Sequence, residues 1–193
     1  MAQEPLSISD VLVARKRITG FVTNTPLRKS HWMSDVSQAE VWMKLENLQV
    51  TGSFKYRGAL NAMTFAKERG ITRVFTASAG NHALGMAEAA RTTERETTVC
   101  LPTNVAAVKK AKLELFSVGI VQHGDDMELT EQYAARLALE KKGLYISPYN
   151  NREVIAGQGT VGLEMYELVP KLSTLVVAVG GGGLISGIGL VAK

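Results

Sequence analysis

Strand-like and helix-like patterns alternate along the chain. Short runs rich in β-branched and aromatic residues read as strands: 40–47 (EVWMKLEN), 72–78 (TRVFTAS), 96–102 (ETTVCLP), 120–124 (IVQHG), 144–149 (LYISPY) and 174–180 (TLVVAVG). Between them, apolar residues recur three or four positions apart, which predicts helices over 7–20, 58–70, 82–93, 106–119, 128–143 and 159–170. Ser7 or Ser9 can cap the first helix, and Gly20, Gly70, Gly119, Gly143 and Pro170 are stop signals. The run 174–179 is apolar at both alternating sets of positions, the pattern of a strand covered on both faces. Regular alternation predicts the α/β class: open, mostly parallel sheets with helices on both faces.

Composition narrows the picture. The 193 residues leave room for one domain or two small ones. Apolar residues make up 46% and charged residues 21%, ordinary for a soluble globular protein. The net charge of +4 comes from scattered basic residues with no dense run, which argues against nucleic acid as a partner. Cys100 is alone, in an apolar stretch, and reads as core in a reducing compartment. No apolar stretch approaches the roughly 20 residues of a membrane helix. The first ten residues carry an early acid and no apolar h-region, so no membrane partner and a cytoplasmic setting are expected.

Three turns hold unusual residues, each where a helix is expected to open. Gly180, Gly181, Gly182 and Gly183 follow the 174–179 run. Bare backbone N–H groups at a helix start suit a phosphate, and a side chain at Gly181 or Gly182 should block its approach. A flexible linker is the other reading. Ser78, Ala79, Gly80, Asn81 and His82 follow the 72–78 strand. They can hold a carboxylate through N–H groups and the Ser78 hydroxyl, or they can be a plain helix cap. His82 can serve as a general base or as a structural residue. Lys55 stands in VTGSFKYRGAL between Phe54 and Tyr56, in a largely uncharged setting. Such a lysine is either a solvated loop residue or a desolvated amine with a lowered pKa. An anion turn, a carboxylate turn and a sequestered amine together point to pyridoxal phosphate (PLP).

The same segments resemble a known family. KLENLQVTGSFKYRGALNAM (44–63), TASAGNHALGMAEAA (76–90), VIAGQGTVGLEM (154–165) and VAVGGGGLISGI (177–188) are similar, in order, to signatures of the PLP-dependent threonine/serine dehydratase and serine racemase family, fold type II. The segment 25–27 (TPL) fits its N-terminal region. The resemblance implies that Lys55 forms the Schiff base and takes the Cα proton, with Phe54 near the ring. It implies that Asn81 contacts the ring's phenolic oxygen, that Gly180 to Leu184 hold the phosphate, and that Ser78 to His82 surround the substrate carboxylate. The implied activity is dehydration of L-threonine or L-serine to a 2-oxo acid and ammonia, in a homo-oligomer. The implied organisation is a large domain of residues 1–69 and 148–193, incomplete here, and a small domain of 70–147. The family's metal site and pyridine-nitrogen partner have no counterpart in this stretch, so no metal ligand is assigned, and the chain is expected to be a weak catalyst.

Three departures from that family matter. Its racemases have a second serine where this chain has Ala79, and a methyl group cannot carry a proton to the opposite face of Cα. Tyr149 is aromatic as in the biosynthetic dehydratases, where racemases have asparagine. Leu84 replaces a common glutamine, a change expected to alter the pocket. The alternatives are a non-catalytic PLP-binding remnant, a serine racemase or hydroxyaspartate dehydratase of the same family, and a nucleotide-binding domain.

Overall fold

Polar groups at element ends set the chain's course. The Ser7 backbone N–H donates to the Asp10 carboxylate at 2.8 Å, the reciprocal half of a capping box, and opens helix α1, Ile8–Ile18. Gly20, at φ +87°, ends the turn behind it in a conformation that favours glycine. The computed structural model describes residues 4–192; positions 1–3 and 193, the outermost of the predicted large domain, lie outside the described residues. Strand β1, Leu27–Lys29, pairs antiparallel with β2, Trp42–Lys44, and the short helix α2, His31–Ser37, lies between them. Helix α2 has no counterpart in the sequence reading, because seven residues are too few to show a helical period.

From β3 onward, strands and helices alternate as predicted. Helix α3 is Lys55–Glu68, β3 Arg73–Ala77, α4 Asn81–Thr93, β4 Glu96–Leu101, α5 Ala107–Glu114, β5 Gly119–Gln122, α6 Met127–Glu140 and β6 Leu144–Tyr145. The sheet order is β5-β4-β3-β6, and every pairing is parallel. Ala83 and Ala87 of α4 pack with Val99, Leu101 and Leu113 on one face. Ala134 of α6 packs on Ala77 and Cys100 on the other. Small alanines let the helices lie close, and the buried Cys100 thiol is pushed up to about 11. Its place in the core is the one the sequence predicts.

Helices α7, Arg152–Leu168, and α8, Gly183–Ala192, complete the chain. Helix α7 begins seven residues earlier than predicted, because Asn151 caps it by accepting from the Val154 N–H at 3.0 Å. Glycines set its crossings: a side chain at Gly157 would come within 2.6 Å of Gly58 on α3, and one at Gly187 within 2.3 Å of the Ile155 carbonyl.

The predicted strand at 174–180 does not form among the described residues. The segment has no regular secondary structure and no ladder partner, with Val176 97% and Val179 62% exposed. Its apolar pattern signals a preference for burial, but a strand also needs a neighbour's N–H and C=O groups. The strand before it in sequence, β6, lies on the far side of α7 along the chain and has only two paired residues.

Candidate functional site

Lys55 is the first residue of α3, not the middle of a loop, and Phe54 is the helix N-cap. What fixes this end of α3 is a buried ion cluster two residues on. Arg57 has no exposed surface and donates to Glu46 at 2.8 and 2.9 Å and to Glu164 at 2.6 and 2.9 Å. Lys44 pairs with Glu164 as well, so two cations meet two carboxylates. That balance is what burial of charge requires. Tyr56 packs in the core on the next face, so the helix cannot turn on its axis.

Held this way, the Lys55 amine is half-buried. Nζ donates to the Pro148 carbonyl at 2.8 Å and lies 5.5 Å from the Phe54 ring centroid. Burial lowers its pKa below the ordinary lysine value. The Pro148 carbonyl is placed by the sheet. Just beyond β6, the Ile146 N–H donates to Phe75 of β3 at 2.8 Å, and the Thr76 hydroxyl donates to the Ile146 carbonyl at 2.7 Å.

The second turn approaches from α4. A side chain at Gly85 would meet the Lys55 backbone at 3.2 Å, so the first turns of α3 and α4 are nearly in contact. His82, three residues earlier, is 2% exposed, and neither ring nitrogen has a partner among the described residues. Burial, then the nearby Lys55 charge, pushes its pKa down to about 3, so the ring is neutral. The helix N-cap is Gly80 with no side-chain cap; Ser78 instead accepts from the Gly80 N–H at 3.3 Å. The first N–H groups of α4 are therefore uncapped by any side chain, beside the exposed Gly80 and Asn81. Ala79 and Leu84, both partly buried, pack against the Ala83–Val99–Leu113 cluster.

The glycine turn meets the same centre through Tyr149. A side chain at Gly181 would fall 2.3 Å from Tyr149 Cγ, and one at Gly183 would fall 3.0 Å from the Tyr149 carbonyl oxygen. Gly180 and Gly182 face open space, with Gly182 at φ +86°. Gly183 opens α8, so the helix's unpaired N–H groups, with Leu184 next in line, face that space. Lys55, His82, Pro148 and the glycine turn are thus brought together. Among the described residues no hydrogen bond links Ser78 or Asn81 to Lys55. The sequence reading missed Glu131 on α6, which accepts from the Tyr149 phenol at 2.8 and 3.0 Å. A glutamate on a solvated helix carries no signal of such a contact.

Residues 18–193 match the family described as pyridoxal-phosphate dependent enzyme. The chain belongs to that family. It is 37% identical over 193 residues to the L-threonine dehydratase catabolic TdcB of Staphylococcus aureus (strain USA300), covering 97% of this chain and 55% of that protein. Among solved structures it is similar to a pyridoxal 5'-phosphate-dependent aspartate racemase, at TM-score 0.92 and 33% identity, covering 100% of this chain and 60% of that one. Maize serine racemase follows at 0.91 and 33%, covering 98% and 58%. The threonine deaminase of T.th. gives 0.86 and 32%, covering 97% and 61%. The chain thus spans about half the length of the curated relatives it matches.

The residues fit the family's cofactor. An aldehyde needs an amine free of a carboxylate, and among the described residues the Lys55 amine's one hydrogen-bond partner is a carbonyl. A phosphate needs bare N–H groups, and the start of α8 offers them across glycines open at 180 and 182. No helix among the described residues is long and apolar enough to cross a membrane.

Proposed function

We propose that this chain is the cofactor-bearing part of a PLP-dependent ammonia-lyase that dehydrates L-threonine or L-serine. The carrying observation is the Lys55 amine, half-buried against the Pro148 carbonyl with its pKa lowered by burial. Bound PLP supplies an aldehyde and an electron sink. The chain's own residues do the rest. The start of α8 and Gly180 to Leu184 hold the phosphate, with Phe54 beside the ring and Asn81 toward its phenolic oxygen. Ser78 to His82 take the substrate carboxylate at the uncapped start of α4. Lys55, more often uncharged than an exposed lysine, removes the Cα proton as general base. Loss of the β-hydroxyl and hydrolysis of the resulting enamine give a 2-oxo acid and ammonia. Residues 1–69 with 148–193 and residues 70–147 form the two domains of this reading.

Ala79 favours elimination over racemisation. Its methyl packs on the core and offers no proton donor for the opposite face of Cα. The likeness to racemases bears on the fold, which both reactions share. The test is borohydride reduction with PLP followed by peptide mapping, together with chiral analysis of L-serine turnover by the protein. The expected tag is on the Lys55 peptide, and the expected product is 2-oxo acid with little D-serine. A tag on Lys44 or Lys67 overturns the assignment; D-serine as main product overturns the reaction.

A further inference from the structure

Tyr149 touches two parts of the site at once. Its ring covers Gly181 and its carbonyl abuts Gly183, while the preceding carbonyl, Pro148, holds Lys55 Nζ at 2.8 Å. The loop from Ser147 to Asn150 is therefore one piece that touches both the amine and the glycine turn. At its near end it is tied to β3 through Ile146. Its tip has one side-chain anchor of another kind. The Tyr149 phenol donates to both oxygens of Glu131, at 2.8 and 3.0 Å.

Helix α6 is a firm place for that anchor. Asp126 caps it by accepting from the Leu129 N–H at 2.8 Å, and Thr130, Ala134 and Ala138 bury its inner face. Glu131 follows Thr130 and is itself half-buried. The hydrogen bond to Glu131, then burial, raises the phenol's pKa, so Tyr149 keeps its proton and remains the donor. A hydrogen bond to a charged acceptor is the stronger kind.

We infer that Glu131 is a positioning residue for the cofactor site: by holding the Tyr149 phenol it seats the ring on Gly181 and fixes the Pro148 carbonyl against Lys55. Its link to the cofactor rests on the function proposed above. Its effect on Lys55 does not. Glu131 touches no reacting atom; it acts through a ring and a carbonyl. Removal of either end of the bond frees the loop tip, so the two removals act as one.

The experiment compares Tyr149→Phe, Glu131→Ala, the double variant and Glu131→Gln with the parent. One arm measures PLP affinity by absorbance titration. The other measures the acylation rate of Lys55 by trace acetic anhydride in the cofactor-free protein, with urea midpoints alongside. Tyr149→Phe and Glu131→Ala are each expected to weaken PLP binding about tenfold. Both should speed Lys55 acylation severalfold, and the double should be no worse than either single. Glu131→Gln, whose amide oxygen still accepts from the phenol, should lie within about threefold of the parent. A purely structural role would shift the urea midpoints and leave the Lys55 rate alone. Unchanged Lys55 acylation in both single variants, or losses that multiply in the double, overturns the inference. A parent that binds no PLP while its variants still change Lys55 acylation overturns the proposed function and leaves the positioning role standing.

Discussion

His82 shares its surroundings with an amine, and that fixes its charge. Burial and the Lys55 charge hold its pKa at about 3, against an ordinary value near 6.5. The folded state resists protonation while the unfolded state accepts it, so stability falls as pH drops below about 6.5 and keeps falling toward about 3. At pH 5 the loss from this one group is about 2 kcal/mol. His82→Gln removes the titration, so urea unfolding at neutral pH and at pH 5 should show a smaller acid loss in the variant than in the parent. Equal losses would mean that the ring finds a partner or solvent. The sequence places His82 at a helix start but cannot show its neutrality, which depends on burial in the folded chain and then on Lys55, 27 positions earlier. Lys55 itself was legible, because an isolated lysine in an uncharged turn is a local feature. Glu131 was not, because its partner lies outside any local pattern.

At the scale of elements, the legible part was whatever repeats with a period. Helices α1, α3, α4 and α6 and strands β3, β4 and β5 follow from apolar spacing and glycine stops, with ends adjusted by caps. Strand β2 falls inside the run read as a strand at 40–47, while helix α2 and strand β1 are too short for a period to show. The sequence reads the four-glycine turn as an anion site, but its members are not equivalent. The sequence treats Gly181 as open to a ligand. In the structure Gly181 is covered by the Tyr149 ring, and a side chain there would fall 2.3 Å from Cγ. Gly180 faces open space at an ordinary φ. Gly181→Ala should therefore cost about 1–3 kcal/mol of stability by overpacking and weaken PLP binding as well. Gly180→Ala should weaken PLP binding, because its methyl projects into the space beside the N–H groups, with little change in the urea midpoint. The pair separates packing from binding. If Gly180→Ala binds PLP like the parent, the phosphate does not sit on that side of the turn.

For the molecule as a whole, the parallel sheet with helices on both faces was legible, while pairing was not. Apolar pattern reports a tendency to be buried; it does not report whether a partner is at hand. The run 174–179 is the case in point. Its apolar pattern reads as a strand covered on both faces, yet it joins no ladder among the described residues, and Val176 is 97% exposed. Unpaired backbone groups on an exposed, apolar, strand-prone segment recruit the same segment of another chain, and a lysine at the edge is the usual deterrent. The protein should therefore self-associate in solution through this segment. Val176→Lys should suppress the association, because the added charge must be desolvated to form the pairing. Leu139→Lys is the control: Leu139 is 80% exposed on α6, so the same charge is added away from the segment. Sedimentation velocity over a range of concentrations should show the parent and Leu139→Lys growing in mass and Val176→Lys staying a monomer. A monomeric parent at every concentration, or equal association in Val176→Lys, would show that the segment is covered in solution by contacts within the chain.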